Sequence, residues 1–166
     1  MAGTFYVYRQ TCYDTDDSLL LLDYFKGKNE KQYTLNGILK DAQLEAVLGK
    51  AHLYVDYEEG GIDCYFWLDN GNRKFHADFQ IPINLLIYLS SLVLQSFTEK
   101  PVRIETKEMT MEFSISAEKD EIKMMIAELE NAVQNPHLYY PDFLQEEFIE
   151  MKDSIVGVCN ELKAHC

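Results

Sequence analysis

No two residues constrain this chain more than Asn70-Gly71. Asn-Gly is the dipeptide that best accommodates the two positive φ angles of a type I′ turn, so it predicts a hairpin and fixes the register of the strands on either side. With Asp69 opposite Asn72, counting outward sets Phe66 against Phe75, Cys64 against Ala77 and Ile62 against Phe79. Every member of these pairs is apolar. A slip of one residue would turn the set to the other face, so the pattern supports the register. An earlier turn through Glu59-Gly60 sets Tyr57 against Ile62 and extends the same face through Val55–Cys64 and Leu53–Phe66. The expected product is a three-stranded antiparallel meander over residues 52–79.

The other face of that meander carries His52, Trp67 and Lys74 in one row, Tyr54, Tyr65 and His76 in the next, and Asp56, Asp63 and Asp78 in a third. Directly opposed like charges destabilise a strand pair, so the aspartate row asks for compensation. Solvent at the end of a twisted sheet would screen it. A hard cation would also neutralise it, but such ions take more oxygen ligands than the side chains of this row supply. Lys or Arg side chains of a partner are the better match, because Tyr54, Tyr65 and Trp67 adjoin the acids and aromatic residues are enriched at interface cores. The candidate partner-binding residues are therefore Tyr54, Asp56, Asp63, Tyr65, Trp67, His76 and Asp78.

From Phe79 to Thr98 the chain has 20 residues without a charge, which meets the crudest criterion for a membrane span. Pro82, Asn84, Ser90, Ser91, Gln95 and Ser96 interrupt it, and Glu99-Lys100 follow at once. A helix apolar nearly all round is equally what the centre of a globular core needs. The segment 82–97 is read as that helix, opened by Pro82 and stopped before Pro101.

The remaining elements follow from period and punctuation. Thr4–Thr11 alternates weakly and reads as a strand, with an acidic turn over Asp14–Ser18. Residues 18–25 have no period that separates strand from helix; their short length favours a strand, leaving 26–31 as an exposed hairpin loop. Thr34 caps a helix with Leu35, Ile38, Leu39, Ala42 and Ala46 on one face, ending near Gly49. In Val102–Ser116 the apolar phase switches near Thr106–Glu108, which predicts a turn or bulge. Ser116 caps a helix with the stripe Ile122, Met125, Ile126, Leu129 and Val133, ended by Asn135-Pro136. Pro141 opens the last helix, whose stripe is Leu144, Phe148, Met151, Ile155, Cys159 and Leu162 and whose free face carries Glu146, Glu147, Glu150 and Asp153.

Together these elements predict one α+β domain over residues 1–166. An antiparallel sheet, made of the 52–79 meander with the N-terminal and 102–116 strands, is packed on one face by helices, with 82–97 innermost.

Chemistry is sparse. The chain lacks the common phosphate, nucleotide, zinc and calcium signatures and any paired cysteine spacing among Cys12, Cys64, Cys159 and Cys166,. Cys64 with His76 is the tempting nucleophile pair, but the register puts them on opposite faces. A metal-dependent or His-assisted hydrolase using Asp56, Asp63, Asp78 and His76 is the alternative from the enzyme class, and an oligomerisation or scaffold subunit is the third reading. The balance is against an enzyme, with no catalytic residue, cofactor or metal assigned.

Charge decides the rest. Lys and Arg number 15 against 28 Asp and Glu, for a net charge of −13, which repels nucleic acid and attracts a basic protein. The start MAGTFYVYRQ is not a secretory signal, so cytoplasmic residence is expected. An acidic, aromatic-rich chain with few motifs fits a stoichiometric inhibitor of the immunity type. Such a protein neutralises a basic toxin or nuclease by occupying its active site.

Overall fold

The computed structural model describes residues 4–6, 12–14, 16–42, 51–52, 65–68, 74–76, 82–98, 101–105, 110–139 and 145–166. Helix α3, Pro82–Thr98, is the hub. Its residues 83–94 are all buried, and it packs against α1 (Asp16–Lys28), α4 (Lys119–Gln134), α6 (Gln145–Lys163) and the strands β7 (Val102–Glu105) and β8 (Thr110–Ser116). The innermost helix is thus the one the uncharged run indicates. No helix among the described residues is long and apolar enough to cross a membrane.

The serines and the threonine of α3 are not breaks in this core, because their hydroxyls find backbone acceptors. Ser90 and Ser91 both donate to the Ile87 carbonyl, at 2.7 and 3.3 Å, and Thr98 donates to the Leu94 carbonyl at 3.0 Å. A buried hydroxyl that is hydrogen-bonded escapes most of the desolvation cost. Ser96 reaches further. It donates to the Ile115 carbonyl at 2.7 Å and accepts from the Ile115 N–H at 3.3 Å, tying α3 to β8. Strand β7 begins with Val102 opposite Phe113, so at Ile115 the serine satisfies the backbone groups beyond the end of the β7 ladder.

Among the described residues the strands form three separate sheets and not the single antiparallel one expected, and the sheet beside α3 is mixed. Strand β8 is central: β7 flanks it antiparallel, pairing Val102 with Phe113 and Ile104 with Met111, while β3 (Gln32–Thr34) flanks it parallel, pairing Tyr33 with Ile115. The β7–β8 connection falls at the phase switch read from the sequence. Phe25, Tyr33 and Phe113 close an aromatic cluster across α1, β3 and β8, with Phe25 stacked on Phe113 at 4.5 Å and Tyr33 edge-on to both at 5.1 Å.

Residues 18–25 are helical rather than extended. Within α1, Leu21, Leu22 and Phe25 are buried and Asp23 is exposed, a helical spacing that the leucine run conceals. The helix includes residues 26–28, expected in a hairpin loop, and ends at Asn29, whose φ of 50° is the left-handed conformation asparagine tolerates. Its N–H donates to the Phe25 carbonyl at 2.9 Å. Tyr24 of α1 donates to Asp41 Oδ2 at 2.7 Å at the end of α2 (Leu35–Asp41). That bond is the main reason the Asp41 carboxyl lies below its usual range, with Lys28 a smaller cause.

Thr34 caps α2 as its sequence position requires, its Oγ1 accepting from the Gly37 N–H at 3.0 Å. At α4 the cap is Glu118, whose N–H donates to Glu121 Oε1 at 2.9 Å. Ser116, expected there, is instead the last residue of β8. Of the N-terminal strand, β1 (Thr4–Tyr6) is described and pairs antiparallel with β2 (Cys12–Asp14), so Asp14 lies in a strand and not in the acidic turn. Ala46, Gly49, Pro141 and Leu144 lie outside the described residues.

Candidate protein-binding faces

Three short strands carry what is described of the expected binding face: β4 (Ala51–His52), β5 (Tyr65–Leu68) and β6 (Lys74–His76). Their antiparallel pairings are His52 with Trp67, Trp67 with Lys74, Phe66 with Phe75 and Tyr65 with His76. The β5–β6 pairs are those that the Asn70-Gly71 turn implies, and His52 with Trp67 is the register that the Glu59-Gly60 turn implies. Strand alternation then sets positions 52, 65, 67, 74 and 76 on the same side of the ladder. Tyr54, Asp56, Asp63 and Asp78 lie outside the described residues, as do Cys64 and the turns, so a continuous meander over 52–79 and its aspartate row remain expectations from sequence. Among the described residues no group of His, Cys, Asp and Glu is placed to hold a metal ion.

A second surface, formed by α6, stands out in the structure. Phe148, Met151, Ile155, Cys159 and Leu162 are buried along the expected stripe, while Glu146, Glu150 and Asp153 are exposed. Two aliphatic residues break the polarity of the outer side: Ile149 is 61% exposed and Val156 38%. They recur at i and i+7, hence on one row of the helix. Their signal was present in the sequence only as two apolar residues falling off the buried stripe.

Between α4 and α6 lies a shallow pocket of about 80 Å³ lined by Glu130, Val133, Gln134, Val156, Cys159 and Asn160. Lys163 pairs with Glu130 at 3.1 Å at this seam. Burial, reinforced by the Glu130 carboxylate and only partly opposed by Lys163, pushes the Cys159 thiol up to about 12. At neutral pH it is a protonated packing residue and no nucleophile.

Two further polar features are structural. Tyr139, fully buried at the end of the short helix α5 (Pro136–Tyr139), donates to Glu128 Oε1 at 2.6 Å and accepts from Asn131 Nδ2 at 2.6 Å. This strut fixes α5 to α4 and satisfies a buried carboxylate. His165 stacks on Phe97 at 4.7 Å, whereas His137 is exposed on α5.

The chain is an acidic α+β protein whose helix α6 exposes the apolar Ile149 and Val156 beside carboxylates. The model of the family Immunity protein 68 matches residues 6–162. The chain belongs to that family, and is thus an immunity-type protein. No curated protein and no solved structure shows a significant match to it.

Proposed function

We propose that this chain is a stoichiometric inhibitor that protects against a basic toxin of nuclease type by covering the toxin's active site. The observation that carries this reading is the family match across residues 6–162. Immunity implies a toxin partner; the net charge of −13 supports the partner's basic character, since opposite charge accelerates encounter and selects against like-charged proteins. A nuclease active site presents cationic groups to phosphate, and clustered carboxylates can occupy them. The same charge opposes binding to nucleic acid itself. The contact face on this reading comprises Tyr54, Asp56, Asp63, Tyr65, Trp67, His76 and Asp78, displayed by one domain residing in the cytoplasm.

The test is a titration against a purified toxin, sought first as the product of the gene neighbouring this chain's own. Toxic activity should fall linearly and vanish at one equivalent, and DNA or RNA cleavage should be the activity lost. Full toxin activity in the presence of excess protein would sink the reading. Stoichiometric loss of a different activity would retain the inhibitor and remove the nuclease.

A further inference from the structure

The outer face of α6 combines features that the fold does not require. Ile149 and Val156 form an exposed aliphatic row, and Val156 continues it into the pocket at the α4–α6 seam. Beside that row stands Gly157, exposed in the interior of the helix, where an added Cβ would meet no described residue within 4 Å. Glycine is a poorer helix residue than alanine, and no neighbour among the described residues demands its small size. What a bare backbone does supply is close approach for something from outside.

We propose that this face is a docking surface for a cationic segment of the toxin, which lays an apolar side chain along Ile149 and Val156 toward the seam. The inference rests on the inhibitor reading and adds a contact surface to it. Exposed Glu146, Glu150 and Asp153 run along one side of the aliphatic row. Lys152 flanks the other side, and Lys163 is engaged with Glu130. The balance on the acid side therefore suits Lys and Arg of a partner. It disfavours a second copy of this chain, which would bring the same acids and another −13 against them. The pocket has room for one small aliphatic group, so the occupant is an element with an apolar residue among basic ones.

The experiment measures binding of the purified neighbouring-gene toxin by calorimetry to the wild type, I149A/V156A, E146K/E150K/D153K, Gly157→Gln and Met124→Ala. Thermal melts accompany each variant and sedimentation is run on the wild type. All substituted side chains are exposed, so melts should stay near wild type, and Gly157→Gln should melt no lower. Expected are at least tenfold weaker binding for the first three variants and wild-type binding for Met124→Ala, an exposed apolar residue of α4 that lies neither on α6 nor in the pocket. If the wild type binds and every α6 variant binds within twofold of it, this surface is not the contact while the inhibitor reading stands. If the wild type neither binds nor inhibits, the inhibitor reading itself falls and takes this inference with it. A wild-type dimer abolished by I149A/V156A would overturn the proposal in favour of self-association.

Discussion

At the scale of the residue, the least expected contributor is Ser96. Its hydroxyl both donates to and accepts from the backbone of Ile115, replacing two ladder bonds at a point where β7 has ended. An alanine there would leave a buried N–H and carbonyl without that partner, and such unsatisfied groups cost about 1–3 kcal/mol. Ser96→Ala should therefore lower unfolding stability by roughly that amount in urea titrations. Ser90→Ala should cost less, because the Ile87 carbonyl to which its hydroxyl donates keeps the Ser91 hydroxyl as a partner. Equal losses for the two would mean that the tie between α3 and β8 is not special. Nothing in the sequence pointed to this role: Ser96 read as one of several polar interruptions, and only its placement opposite an unfinished strand gives it a partner.

At the scale of the element, legibility tracks length and period. Helices α4 and α6 were readable because Ile122, Met125, Ile126 and Leu129, and likewise Phe148, Met151, Ile155, Cys159 and Leu162, follow a three- or four-residue spacing and are buried. Strand β3 was not, because it has three residues and a single buried side chain, Tyr33; its parallel partner β8 lies far along the chain, and only tertiary structure reveals it. In α1 the consecutive leucines mask the period, so short length favoured the wrong element, and the capping role of Asn29 was the overlooked signal. The pairing of β5 with β6 was legible from one turn dipeptide. For α6 a prediction follows: Gly157→Ala should stabilise the protein by about 0.5–1 kcal/mol, since alanine is the better helix former and its methyl has open space,. A thermal melt that moves downward would show that the helix needs the glycine for its own packing, and would weaken the case for an external contact there.

At the scale of the whole molecule, the separation of core from charge sets the expected kinetics. The apolar core is gathered around α3 and the β3–β8–β7 sheet, which leaves the net charge of −13 to act outward as a field on any approaching partner. Replacing Asp56 and Asp63 by Asn reduces that charge from −13 to −11 and does so where the toxin is proposed to land. Association should slow at low ionic strength and its salt dependence should flatten, while dissociation changes less, because steering acts on the encounter. Stability should hold or rise as repulsion along the aspartate row is relieved. Trp67→Ala should behave in the opposite way. Position 67 stands between His52 and Lys74 in the ladder, the middle of the proposed face, and losing an aromatic anchor costs about 2 kcal/mol, which is roughly 30-fold in affinity. Most of it should appear as faster dissociation, since related complexes differ mainly in that rate. Stopped-flow association and dissociation rates for both variants, measured against the neighbouring-gene toxin from low to high salt, separate the two effects. Wild-type rates for both variants would remove the strand face from the interface and leave α6 as the surface by which the toxin is held.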